Sequence, residues 1–178
     1  MIANLIAFNL CWLANVLGAA KGYPWLGPMV TAVWVVIHFA VLDVRHQTNW
    51  RLVAVAAGFG YVADSLLVLS GHLAFTDVAS LGYPSAVWMV ALWIAFACTL
   101  DHSMQWLQRK WWLPPVFGAI GGPLAYFGGE RLGALMPLAP LDLAWVGLVW
   151  LVGLPLLVAL SKRLRLGSEF STTTVSEQ

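Results

Sequence analysis

The sequence predicts an all-α fold, a polytopic membrane helical bundle of six transmembrane helices with both termini cytoplasmic. Three observations predict it. Only 10% of the 178 residues are charged and 61% are hydrophobic, whereas a soluble domain carries about 25% charged residues. So little charge cannot coat a water-facing surface. Six mostly apolar stretches approach the roughly 20 residues that cross a bilayer: 2–20, 25–42, 52–70, 84–100 (or on to 108), 113–128 and 143–161. Finally, with the N-terminus inside, the inner connectors hold Arg45, Arg51, Arg109, Lys110, Lys162, Arg163 and Arg165, against Lys21 and Arg131 outside. That is the positive-inside pattern.

The first stretch opens "MIANLIAF", with no Lys or Arg ahead of its apolar run, so it reads as a permanent helix rather than a cleaved signal. The second and fourth open alike, "GYPWLGPMVTAVW" at residue 22 and "GYPSAVWMVALW" at residue 82, and each reaches an aspartate near its inner end, Asp43 and Asp101. A duplicated helical hairpin with a period near 60 residues would give this pattern. Tyr23 and Tyr83 fall at the outer interface, and Trp50, Trp106, Trp111 and Trp112 at the inner one, where amphipathic rings anchor. Trp12, Trp34, Trp93 and Trp150 lie deep inside their spans and suit either helix packing or an aromatic ligand cavity.

The fifth stretch is rich in Gly and Pro. Gly118 and Gly122 form a small-xxx-small pair that lets helices approach closely, and Pro123 is expected to kink or break the helix. Residues 1–161 therefore read as one bundle. Residues 162–178, a basic cluster and then a polar tail, are expected to be disordered on the cytoplasmic side. Cys11 and Cys98 lie inside spans as buried small side chains, with no disulfide or metal-ligand spacing.

Ionisable groups within a membrane face the bundle interior or a water-filled cavity. Asp64 lies on the small-residue face of the third helix, about 18 Å above its inner end. Asn15 comes out at nearly the same height, and Tyr61 is one turn away. Both can donate to the carboxylate, so Asn15, Tyr61 and Asp64 form an expected polar cluster, with Trp34 and Trp93 as candidate ligand-lining rings. A second polar level lies toward the cytoplasm, where Thr31, Trp34, His38 and Arg45 form one stripe and Cys98, Asp101, Gln105 and Gln108 another, beside His102 and Ser103. His38, Asp101 and His102 are the candidate catalytic residues. No second His stands three or four residues from His38, so a metal site is not expected, and no cofactor is implied. "DHS" at 101–103 is no hydrolase triad, because consecutive helical side chains diverge by about 100°. Glu130 and Arg131 read as a solvated outer loop.

At "LWIAFACTLDHSMQWL" (92–107) and "FGAIGGPLAYFGGERLGAL" (117–135) the chain resembles the bacterial inner-membrane family catalogued as domain of unknown function 2878. The resemblance runs to about residue 160. It implies a fold and a location rather than a mechanism, since the family has no established activity. The family's form of the fourth-helix motif has Asn where this chain has Asp101, which argues against a catalytic carboxylate there. Genes of this type often lie near cyclopropane-fatty-acid-synthase-like and flavin-dependent genes, so the resemblance implies either membrane-lipid modification, with lipid-modifying enzymes as partners, or an oxidative stress response.

The expected function is the binding, or assisted processing, of an apolar or acyl-chain ligand among membrane lipids. The alternatives are a small proton-coupled transporter or lipid flippase, and an intramembrane enzyme built on His38 with Asp101 and His102. The net charge of +1 argues against a nucleic-acid partner.

Overall fold

The computed structural model describes residues 2–42, 48 and 50–175, with side chains described up to Arg165 except that of Leu42. Asp43 and Arg45 lie outside the described residues. Six α-helices form: α1 (Ile2–Ala20), α2 (Leu26–Ile37), α3 (Trp50–Leu69), α4 (Val87–Leu100), α5 (Leu113–Arg131) and α6 (Pro140–Val175). A π-helical turn, His38–Leu42, extends α2, and a 3-10 turn, Gln105–Arg109, follows α4. Among the described residues the extended pairing amounts to one isolated bridge, Phe75 with Leu135.

The helices alternate between two ends. At one end Thr76 N–H donates to Ala134 C=O at 3.3 Å and Met136 N–H to Ala74 C=O at 2.9 Å, so the connectors after α3 and α5 lie together. At the other end Lys162 Nζ donates to Gln108 C=O at 2.7 Å. Tyr23 and Tyr83 are exposed at the first end, and Trp50, Trp111 and Trp112 at the second. Gly22 and Gly82, which open the two similar segments, both take positive φ, 81° and 95°.

The pattern of burial is inverted relative to a soluble protein. α1 turns Leu5, Ile6, Leu10, Leu13 and Leu17 outward and buries Asn4 and Asn15; α3 exposes Val55, Val62, Leu66 and Leu69 and buries Asp64 and Ser65. An apolar surface on this scale marks contact with lipid rather than water. α1, α3 and Pro140–Arg165 of α6 are long and apolar enough to cross a membrane.

The central helix, α4, packs against α1, α2, α3 and α6. Its 14 residues rise only about 21 Å, less than a bilayer core. The expected continuation to 108 is a turn at 101–104 and a 3-10 turn instead of α-helix. Irregular backbone is tolerated at this depth because it is buried in protein, as Asp101, Ser103, Met104 and Leu107 are.

Close approach depends on glycine. A Cβ at Gly60 of α3 would collide with the Trp93 ring, and one at Gly122 of α5 with the Trp150 ring. Trp93 and Trp150 stack on each other, centroids 4.3 Å apart and planes 13° apart. The two indoles thus lie between two glycines, joining α3, α4, α6 and α5 in one layer. The Gly118–Gly122 pair does face another helix, with Gly118 against the Trp150 carbonyl.

Pro123 does not break α5, which is continuous from Leu113 to Arg131. The carbonyl left without its N–H partner is Ala119, and α6 packs over that position through Gly147: a Cβ there would stand 3.3 Å from Pro123 Cγ and 3.4 Å from Ala119 O. Likewise α6 continues past the expected span end at Ser161, so that Lys162–Arg165, assigned by sequence to the tail, are helical.

These contacts set a stability contrast. Gly122→Ala is expected to cost about 1–3 kcal/mol by overpacking against Trp150. Gly121→Ala, whose Cβ would meet only the Phe117 ring at 3.6 Å, should leave the thermal midpoint in detergent unchanged or raised. Equal midpoints for the two variants would refute the seating of Trp150 on Gly122.

Candidate functional site

Asp64 is completely buried on α3. Its Oδ2 accepts from Trp93 Nε1 at 2.9 Å, and its Oδ1 accepts from the Tyr126 hydroxyl. Gly60 stands one turn before Asp64 on α3, and Gly122 one turn before Tyr126 on α5, so the glycines that admit the indoles also bring the donors into range. Phe59 meets the edge of Trp93 at 5.5 Å and Phe96 that of Trp150 at 5.1 Å. An aspartate at mid-helix costs about 2.5–3.5 kcal/mol on insertion scales; two directed donors in a low-dielectric site offset much of that.

The inward-facing aspartate expected from the sequence is therefore present, but its expected partners are elsewhere. Tyr61 is exposed and donates to Tyr83 C=O at 3.3 Å. Asn15 donates to Cys11 C=O at 2.8 Å and to Thr31 Oγ1 at 2.9 Å, binding α1 to α2. Trp34 packs beside Cys11 and Ala95, tilted against His38 at 5.4 Å. Tyr126 and its role went unread. A signal existed: at about 1.5 Å per residue Tyr126 lies roughly 20 Å above the start of α5, level with Asp64.

The inner polar level gathers Asn4, His38, Thr48, His102 and Ser103. Asn4 Nδ2 donates to Cys98 C=O at 3.0 Å, Ser103 Oγ donates to Asn4 Oδ1 at 2.7 Å, and Asn4 Nδ2 faces His38 Nδ1 at 3.5 Å. Because a carbonyl can only accept, the amide nitrogen must be the Asn4 atom beside Cys98. His38 Nδ1 then accepts, which in a neutral ring places the hydrogen on Nε2, 2.9 Å from Thr48 Oγ1. Thr48 Oγ1 also lies 3.0 Å from His102 Nε2, and the two imidazoles meet edge to face at 4.9 Å. The π-helical turn begins at His38, a device that recurs at functional sites.

His38 and His102 thus come together as expected, but Asp101 turns away from them. It accepts from Ser161 Oγ at 2.6 Å and Gln108 Nε2 at 3.4 Å and forms an ion pair with Arg165. Residues 101 and 102 diverge around the chain, so they serve two different nodes. Glu130 and Arg131 belong to the last turn of α5 rather than a loop; Glu130 Oε2 accepts from Leu138 N–H at 3.3 Å, and Arg131 lies 4.7 Å over the Phe127 ring.

α1 packs on α2 and α4 while α5 packs on α6, and a crevice remains between α1 and α5. It measures about 350 Å³ and is lined by Phe8, Trp12, Phe96, Phe117, Gly121 and Trp150 among others. A smaller cavity of about 60 Å³ continues it toward Trp93 and Tyr126, sharing Phe8, Trp12, Phe96, Ala125 and Trp150. Aromatic rings form the walls, and the Tyr126–Asp64 pair stands behind them.

A family model described as protein of unknown function DUF2878 matches residues 1–156. The chain belongs to the DUF2878 family. The part matched to DUF2878 contains Asn4, His38, Asp64, Trp93, His102, Tyr126 and Trp150, whereas Ser161 and Arg165, which hold Asp101, lie beyond it. No curated protein and no solved structure matches the chain.

The two buried nodes have separate tests. Asp64→Leu strands two buried donors at about 1–3 kcal/mol each, and Tyr126→Phe removes one hydrogen bond. Asp64→Asn still offers an acceptor to Trp93 and a donor to the Tyr126 oxygen. Unfolding in detergent should rank stability Asn, then Phe, then Leu; any other order counts against the assignment. For the inner node, ¹⁵N spectra of histidine-labelled protein should show His38 as the neutral Nε2–H tautomer, and an Nδ1–H ring would overturn the network.

Proposed function

We propose that the chain is a multi-pass protein of the bacterial inner membrane that binds one apolar or acyl chain in the crevice between α1 and α5, as an auxiliary of membrane fatty-acid modification. The observation that carries this reading is the crevice itself. At about 350 Å³ it falls within the range of ligand pockets, which are concave and mostly apolar. With its continuation it follows α5 from Phe117 to Gly129, about 18 Å at 1.5 Å per residue, the scale of one acyl chain. Its aromatic walls supply dispersion contact, and Asn9 is a polar side chain on its lining.

In this reading all six helices cross the bilayer and both termini are cytoplasmic. Arg51, Arg109, Lys110, Lys162, Arg163 and Arg165 would lie inside, and Lys21 and Arg131 outside, as the positive-inside rule requires. Proton-coupled transport is the second reading, supported by the position of Asp64 behind the cavity wall. Catalysis by His38 with Asp101 and His102 receives no support from the separation of Asp101.

Two experiments test the proposal. Reporter fusions after Ser161 and at Ala79 should read cytoplasmic and external; the reverse would sink the orientation. Lipid extraction and mass spectrometry of purified protein should find one acyl species enriched over the bulk membrane. Gly121→Leu, which projects a side chain into the crevice beside the Phe117 ring, should abolish the enrichment while the protein stays folded. Bulk composition in both proteins would refute a specific ligand.

A further inference from the structure

A second groove runs along the outer face between α3 and α6 and shares no lining residue with the α1–α5 crevice. It measures about 530 Å³. Val62 and Leu66 of α3 and Leu148 and Val152 of α6 form much of its wall, and all four are exposed. From Phe59 to Ser70 it follows α3 for about 16 Å. It does not end in more hydrocarbon. At the end near the α3 C-terminus stand His72 and Asp142, whose Nδ1 and Oδ1 atoms are 2.9 Å apart, with the Trp145 ring 5.5 Å from the imidazole and tilted by 31°.

This polar end is built, not incidental. Asp142 is the third residue of α6, and its Oδ2 accepts from Ala139 N–H at 2.8 Å, ahead of Pro140 at the first helical position. That is half of a capping box with proline where its missing N–H costs nothing. The carboxylate is therefore held in place by two contacts, yet its side chain and that of His72 remain 19% and 24% exposed. An ionised carboxylate accepts about four hydrogen bonds, so capacity remains for another donor.

We propose that this face is a binding site for a zwitterionic phospholipid with a primary amine in its head group, one acyl chain in the groove and the head group on the His72–Asp142 pair. The proposal rests on the reading of the chain as membrane-spanning. The choice of head group follows from charge. Asp142 offers a fixed anion to an ammonium, and His72 Nδ1–H, donating to the same carboxylate, holds it in place. A head group that is anionic without an amine meets the Asp142 charge and is repelled. A quaternary ammonium cannot donate a hydrogen bond to the carboxylate. Trp145, 42% exposed at the same end, suits the interfacial level where a head group lies.

The test is native mass spectrometry of the full chain in detergent with an equimolar mixture of phosphatidylethanolamine, phosphatidylcholine and phosphatidylglycerol of identical acyl chains. Wild type should retain phosphatidylethanolamine about fivefold over phosphatidylglycerol, the scale of one partly exposed ion pair. Asp142→Asn should keep a bound lipid but lose the preference. Val152→Trp, a change on the exposed groove wall, should lose the bound lipid, whereas Gly121→Leu should leave it in place. Equal retention of the three lipids by wild type, or an undiminished preference in Asp142→Asn, would overturn the proposal. Loss in Gly121→Leu but not in Val152→Trp would overturn it too, by assigning the lipid to the α1–α5 crevice.

Discussion

A carboxylate inside an apolar bundle must be given donors, and the way Asp64 obtains them organises the rest of the fold. Trp93 of α4 and Tyr126 of α5 both donate to it from the side of α3 that Gly60 leaves open. The indole cannot reach Asp64 unless its face lies on Gly60, and its other face is covered by Trp150 of α6. Trp150 in turn lies on Gly122, one turn below Tyr126. Lipid tails are as apolar as the helices, so burial of leucine gives little association energy in a bilayer. Close packing and interhelical hydrogen bonds have to supply it, and here both are concentrated in one layer across four helices.

That layer also shapes the empty space. α5 is held to α6 through glycine, proline and the Trp150 backbone, and α1 is held to α2 and α4 through Asn15 and Asn4. α5 meets α1 at Gly128, against the Trp12 ring, and the crevice lies between these two helices. The rings that stabilise the bundle therefore form one wall of the cavity, with the polar end of the Asp64 pair directed away from it. Such a wall holds a hydrocarbon chain by dispersion.

The opposite end of the bundle solves a different problem. α4 is too short to cross the bilayer as helix, and its C-terminal carbonyls and the turn at 101–104 need partners within the protein. The chain supplies two nodes on either side of the divide between residues 101 and 102. One is the hydrogen-bonded chain from Asn4 through His38 and Thr48 to His102. The other is the ion pair of Asp101 with Arg165, supported by Ser161 and Gln108.

The solvent, the helical class and the inward direction of Asp64 and His38 were legible in the sequence, because each follows from transfer free energy, which composition and periodicity record locally. Height was legible too, since the rise per residue is fixed; it places Tyr126 level with Asp64 even though the pairing went unread. Partner identity was not. Tyr61 is one turn from Asp64 on the same helix, yet it points outward, and Asn15 at the right height belongs to α1, which packs against α2 and α4. Only tertiary packing decides which helices meet, and in a membrane hydropathy cannot reveal it, because a residue facing lipid and one facing another helix are equally apolar. For the same reason the central position of α4, the survival of α5 through Pro123 and the division of Asp101 from His102 became visible only once the helices were set against one another.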